Sequence, residues 1–198
     1  MTEELLIAQE TYLKSGIHIG TKFKTKYMSK FIYKTRPDGL SVLNLQQIDE
    51  RLKLASKFLS KYDPQDIIIF SRRENGWKPL KMFHNLTNIR VITGRYPPGM
   101  LTNTNLEIFT EAKCILVTDS WPDRNAVKDA LKMGIPIIGL CDTNNQANDL
   151  DLVIPCNNKG KKSLGLFFYL LGREYLKARG SIKSDEEYQG NIDEFVEE

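Results

Sequence analysis

Short runs of apolar residues alternate along this chain with longer segments of helical periodicity, and this alternation constrains the fold more than any other feature. The runs lie at 67–70, 90–93, 114–118, 135–141 and 152–154. Strands that are apolar on both faces are typical of a parallel sheet covered by helices on each side. Because no repeat or linker interrupts residues 1–180, the sequence predicts a single three-layer α/β domain over that range.

Helical periodicity is found between the strand-like runs and ahead of them. The expected helices span 3–13, 44–62, 79–86, 124–133 and 162–179. Asn44 is expected to cap the second helix, since a side-chain oxygen at a helix start accepts hydrogen bonds from free backbone N–H groups. The turn Arg36-Pro37-Asp38-Gly39, with alternating apolar residues on both sides, predicts a hairpin in the N-terminal region.

The formal charge of +3 conceals a strong asymmetry along the chain. Residues 181–198 hold seven acids and one lysine, which leaves residues 1–180 with 27 bases and 18 acids, a balance of +9. A basic body indicates a polyanion as partner, because clustered like charges repel one another until an anion binds. The acidic segment 181–198 is expected to be a flexible tail.

The compartment is indicated by what the apolar segments lack. No run of about 18 apolar residues is present, and the acidic N-terminus does not have the pattern of a secretion signal. Cys114, Cys141 and Cys156 lie in short apolar runs and form no Cys-x-x-Cys pair, so we expect three buried, reduced thiols. The sequence therefore predicts a protein that stays inside the cell.

The densest basic segment is 21–36, which holds six bases and no acid. The bases are Lys22, Lys24, Lys26, Lys30, Lys34 and Arg36. Lysines at alternate positions would line one side of an extended segment, where they could follow a row of phosphates. The aromatic residues between them are expected to turn toward the core, and the alternative interpretation is a solvated basic surface.

A second basic stretch, 157–163, lies between a predicted strand and a predicted helix. It departs from the nucleotide phosphate loop, because Lys162 stands where a magnesium-binding hydroxyl is needed and Pro155 where the first glycine is needed. We therefore interpret Lys159, Lys161 and Lys162 as contacts to an RNA backbone near a helix N-terminus. The alternative is that the loop only caps the helix, through Asn158 or Ser163.

Three aspartates fall just beyond predicted strand ends, at the edge that carries the site in many open α/β sheets. They are Asp119, Asp123 and Asp142. Clustered carboxylates could hold magnesium there, as in phosphotransfer enzymes, but their neighbours favour helix caps and Asx turns. The chain has two histidines and lacks nucleophile-elbow, zinc and dinucleotide motifs, so the sequence predicts no catalysis.

Several motifs follow one another in an order shared with one known family. They are Gly-Ile-His-Ile-Gly at 16–20, Gly-Arg-Tyr-Pro-Pro-Gly-Met-Leu-Thr-Asn at 94–103, Val-Thr-Asp at 117–119 and Ile-Pro-Cys-Asn-Asn-Lys-Gly at 154–160. Over about residues 5–180 the chain resembles the ribosomal protein S2 family. Only about fifteen residues separate Asn103 from Asp119, so the coiled-coil insertion of bacterial members is missing. This is similar to the archaeal and eukaryotic branch, which includes the laminin-receptor-precursor protein, and the lack of a long C-terminal extension favours the archaeal type.

The resemblance implies a flavodoxin-like arrangement with a mainly parallel five-stranded sheet, and neither catalysis nor cofactor nor metal. It also implies a structural role in the small ribosomal subunit, near the head–body junction in the cytoplasm, with rRNA and neighbouring ribosomal proteins as partners. Arg95 joins the bases named above as an expected RNA contact. Two alternatives stay open: a magnesium-dependent phosphotransfer enzyme built on Asp119, Asp142 and the 157–163 loop, and a regulatory adaptor that acts away from ribosomes.

Overall fold

The N-terminal region consists of a short helix and a hairpin. The structure, a computed structural model, describes residues 5–196, so the first residues of the helix predicted at 3–13 lie outside the described residues. Helix α1 (Gln9–Ser15) ends at Gly16, whose φ of 69° is left-handed, as is common at helix ends. The predicted hairpin is confirmed, since β1 (Ile32–Thr35) pairs antiparallel with β2 (Ser41–Leu43).

Five parallel strands form the central sheet. In chain order they are β3 (Ile67–Ser71), β4 (Arg90–Thr93), β5 (Cys114–Val117), β6 (Ile137–Cys141) and β7 (Leu152–Pro155). Their spatial order, β4-β3-β5-β6-β7, is the flavodoxin-like 2-1-3-4-5 order with β3 as the first strand. The predicted parallel sheet is confirmed, and each strand begins and ends within two residues of its predicted bounds.

Four longer helices cover the sheet on its two faces. They are α2 (Leu45–Leu59), α3 (Trp77–Thr87), α4 (Arg124–Met133) and α5 (Lys161–Ala178). Alternate strand residues point to opposite faces, so Ile67 and Ile69 pack with buried residues of α2, α3 and α5. Ile68 and Phe70 pack instead with α4 and the loop at 96–101. The three predicted layers are therefore present.

Two local predictions about side chains are also confirmed. The Asn44 Oδ1 accepts a hydrogen bond from the Gln46 N–H at 3.0 Å and so caps α2. Cys114, Cys141 and Cys156 are fully buried free thiols. Of the helices within residues 5–196, none combines the length and apolar character needed to cross a bilayer.

The prediction that the acidic tail is flexible is wrong for residues 185–196. This segment ends in helix α6 (Ile192–Val196), which packs on α5 and α3, and its Phe195 is fully buried. The ring of Tyr169 contacts both Tyr188 and Phe195, at centroid distances of 5.2 and 5.8 Å. The charge count suggested disorder, but two aromatic side chains supply enough apolar surface to hold the segment on the domain.

Candidate nucleic-acid interface

The carboxyl ends of the parallel strands bring distant polar residues to one edge of the sheet. Arg72 and Arg73 follow β3 closely, Asp119 follows β5, Asp142 follows β6, and Lys159 follows β7. We call this region the carboxyl edge. In flavodoxin-like folds a ligand binds at this edge, in the crevice where the strand order reverses, which here lies between β3 and β5.

An ion pair bridges the strand ends at that crevice. The Arg73 Nε donates to the Asp119 Oδ2 at 2.9 Å, and the Asp119 carboxylate is buried. Asp119 Oδ1 also accepts hydrogen bonds from the Asn145 side chain and from the Trp121 N–H, the latter closing the predicted Asx turn. The position at which related topologies bind a ligand is therefore occupied by the protein's own side chains.

A second ion pair joins β6 to β7. The Lys159 Nζ lies 3.0 Å from the Asp142 Oδ2 and 3.2 Å from the Asn144 Oδ1. The Asp142 Oδ1 accepts from the Thr143 N–H. Each of the two edge carboxylates thus has a cation of its own, and no group of three metal-binding side chains occurs in residues 5–196.

Asp123 does not cap α4, contrary to prediction. The residue stands at the N-cap position, but its side chain makes no cap hydrogen bond. The Asp123 Oδ1 instead accepts from the Arg72 N–H at 3.1 Å, which ties the start of α4 to the end of β3. Burial raises the pKa of this carboxyl to about 7, against the opposing effect of the Arg72 hydrogen bond.

The basic segment 21–36 is clipped onto the carboxyl edge by the loop that joins β6 to β7. The Thr25 N–H donates to the Thr143 carbonyl at 2.9 Å, and the Thr25 Oγ1 donates to the Asn145 carbonyl at 3.0 Å. The Thr21 N–H bonds to the Thr143 Oγ1. Gly20 permits this approach, because a Cβ at that position would lie 2.5 Å from the Thr143 methyl group.

The shape of this segment differs from the extended row that was predicted. Residues Met28–Phe31 form a 3-10 turn, and only Ile32–Thr35 are a strand. All six bases of the segment are exposed, and none forms an ion pair with a described residue: Lys22, Lys24, Lys26, Lys30, Lys34 and Arg36. These cations are therefore turned to solvent without a carboxylate of this chain beside them.

The aromatic residues of the segment were predicted to face the core, and for most of them this is wrong. Only Phe31 is buried, whereas Phe23 is 82% exposed and Tyr33 is 70% exposed. The Lys30 Nζ lies 3.8 Å from the centroid of the Tyr27 ring, a cation–π contact. Helical and strand periods both break in this segment, so spacing along the sequence could not indicate which rings turn inward.

The loop at 157–163 is ordered by Asn157 and not by the two expected caps. The Asn157 Oδ1 accepts from the N–H groups of Lys159 and Gly160. Asn158 reaches the Leu140 carbonyl, and the Ser163 hydroxyl donates to the Asn157 carbonyl at 2.6 Å. Lys162 is exposed beside this loop.

Arg95 is exposed on the loop that follows β4, and it completes a set of cations distributed along the carboxyl edge. Sequence reasoning missed Arg72 and Arg73, although their position directly after a strand could have indicated them. The arrangement defines a class: an α/β protein with a basic edge for a polyanion, in which the crevice used by related enzymes is filled by an ion pair.

Comparison with known proteins identifies the family within that class. The family model for ribosomal protein S2 matches residues 12–113 and 106–178. The chain is 46% identical over 195 residues to the small ribosomal subunit protein uS2 of Thermoplasma acidophilum, with 98% of each chain covered. It is 46% identical to that of Nanoarchaeum equitans (97% of this chain, 96% of the relative) and 48% identical to that of Methanococcus maripaludis (98% and 88%).

This chain belongs to the ribosomal protein S2 family, in its archaeal form. The resemblance found in the sequence motifs is thereby confirmed. Proteins of this family are structural and not enzymatic, which agrees with the paired state of Asp119 and Asp142.

Proposed function

We propose that this protein is a structural constituent of the small ribosomal subunit and that its carboxyl edge and the segment 21–36 bind the phosphates of small-subunit rRNA. The observation that supports this most is the set of six exposed bases between Lys22 and Arg36 that lack a carboxylate partner among the described residues. An rRNA backbone supplies the missing negative charge, and release of condensed cations from the RNA favours binding.

The cations have different roles in this proposal. The bases of the segment 21–36, together with Arg95 and Lys162, contact phosphates directly. Lys161 extends this row at the start of α5. Lys159, whose ammonium lies against Asp142, holds the loop in place and presents its remaining hydrogen-bonding capacity to the RNA. Recognition of folded RNA by shape and backbone is consistent with such a distribution of charges.

The location of the protein follows from the family. We place it on cytoplasmic ribosomes, near the head–body junction of the small subunit, with rRNA and adjacent ribosomal proteins as its partners. There it supports assembly of the subunit and translation. The segment 181–198 is treated as a separate acidic extension of the domain at 1–180, docked through α6.

The segment 21–36 is tested by removing three of its charges. In K24Q/K26Q/K30Q, affinity for archaeal small-subunit rRNA should fall, and the slope of log K against log salt should decrease by roughly 2 to 3, at about 0.7–0.9 per phosphate contact. The matched control is K57Q/K61Q/K81Q, which removes three exposed lysines from α2, its end and α3 and loses the same charge. An identical slope in both variants and the parent would contradict the proposed contacts.

A further inference from the structure

One large side chain near the carboxyl edge takes no part in the packing of the domain. Trp121, in the turn between β5 and α4, is 76% exposed. An indole has more to gain from burial than almost any other side chain, because of its large apolar surface and its flat π-face. An indole that the fold leaves in water, among charged groups, marks a contact surface.

The backbone on either side of Trp121 is held in place. The Trp121 N–H donates to the Asp119 Oδ1 at 3.1 Å, and Asp119 is itself bound by Arg73. The preceding Ser120 Oγ donates to the Gln146 carbonyl at 3.2 Å. The turn therefore presents the indole from a fixed position, which lowers the entropy lost when a partner binds.

The indole borders a groove with two cations on its wall. The groove has a volume of about 450 Å³ and lies between α4 and the β6–β7 loop, with Val127 and Leu150 among its lining residues. Arg124 and Lys128 also line it, four positions apart on α4, and both are exposed. Neither forms an ion pair with any residue in the described part of the chain, and Asp149 is the exposed acid at the rim.

We propose that Trp121 is a stacking platform for an unpaired base of rRNA, with Arg124 and Lys128 holding the phosphates that flank this base. The inference rests on the proposed function and adds a particular contact to it. A single-stranded nucleotide presents a flat π-face next to a negative charge, and this groove presents an exposed indole next to positive charges. Paired bases cannot stack in this way, because their faces are already covered within the helix.

The groove is continuous with the basic segment 21–36. One loop supports both, since Thr25 bonds to the Asn145 carbonyl and Ser120 bonds to the next carbonyl along, that of Gln146. RNA that follows the lysines of the segment 21–36 therefore passes along the same loop as RNA that enters the groove. The charges select a polyanion, and the indole selects one with unpaired bases.

Fluorescence of Trp121 tests the stacking directly. The chain has two tryptophans, and Trp77 is anchored through its Nε1 to the Ser71 carbonyl, so W77F leaves Trp121 as the only indole. We expect archaeal small-subunit rRNA to quench this emission on binding, whereas a blunt RNA duplex and inorganic polyphosphate should bind without quenching it. If W77F fails to fold, the difference between the parent and W121F gives the same signal.

Affinity measurements separate stacking from charge. W121A should weaken rRNA binding roughly five- to 150-fold, the range for loss of one base–aromatic stack, and should leave the salt slope unchanged. W121F should retain most of the affinity, and R124Q/K128Q should lower the slope by roughly 1.4 to 1.8.

Unquenched Trp121 emission at saturation, or W121A binding with the affinity of the parent, would overturn the stacking platform. The same holds if W121A affects only the capture of a neighbouring ribosomal protein. In those cases the K24Q/K26Q/K30Q result would still decide the proposed function independently, because it depends on the salt slope and not on the indole.

Discussion

Replacing Phe195 by alanine tests whether the C-terminal segment is part of the folded domain. Phe195 is fully buried, and its ring packs edge-on against Tyr169. Removing a buried phenylalanine side chain costs about 3–5 kcal/mol when the cavity stays open. Here the loss has a ceiling, because α6 is short and can leave the surface as a unit when holding it costs more than releasing it.

The ceiling can be worked out from what undocking exposes. Releasing residues 185–196 would return Phe195 and Tyr188 to water and would free Asp185 from Arg173, 3.2 Å away. Full burial of one aromatic ring contributes about 1.5–3 kcal/mol, and the half-exposed ion pair adds little. We therefore expect F195A to lower the free energy of unfolding by about 3 kcal/mol.

Urea unfolding followed by circular dichroism measures this loss, and limited proteolysis shows whether the segment at 185–196 has been released. E194Q is the control, since Glu194 lies on the same helix and is exposed. It should stay within about 0.5 kcal/mol of the parent. If F195A also stayed within that margin, with unchanged proteolysis of the segment, the packing of α6 on α5 and α3 would be refuted.

Two further predictions concern the carboxyl edge. Because the folded pKa of Asp123 is raised to about 7, above the value of a free aspartate, the folded state holds a proton that the unfolded state has lost between about pH 4 and 7. Stability should therefore fall as pH rises through this window, by up to about 4 kcal/mol; D123N should flatten the profile in urea titrations at several pH values, and an equally steep profile would contradict the raised pKa. R73Q should lower stability by about 1–3 kcal/mol, since it leaves the buried Asp119 carboxylate without its cation. In a double-mutant cycle R73Q should cost clearly less in the D119N background, and additive losses would argue against the ion pair.

The sheet could be predicted from the sequence because its signal is local. A run such as 67–70 is apolar at every position, which fits a strand buried on both faces and little else of that length. Asn44 is similar, since a cap depends on hydrogen bonds within its own helix turn. Residues whose environment is set by neighbours along the chain are the ones that the sequence predicts well.

The tail and the rings of the basic segment depend on distant partners instead. Phe195 is buried because Gly165 lets α6 come close: a Cβ on Gly165 would lie 2.9 Å from the Phe195 carbonyl. Nothing near Phe195 in the sequence indicates this. Phe23 likewise is exposed because its segment follows the β6–β7 loop and not the sheet. The basic character of the candidate site could be predicted, but its curvature and its exposed aromatic residues could not.

The hydrogen bonds that hold Thr25 to the β6–β7 loop also affect the order of events during synthesis. Thr25 and Asn145 are 120 residues apart. At about 5–20 residues per second, the loop is made roughly 6 to 24 s after Thr25. During that interval the six bases of the segment 21–36 belong to a nascent chain that has no template for their spacing. The shape that distinguishes the correct RNA from any other polyanion is thus acquired late, when the last strands of the sheet close.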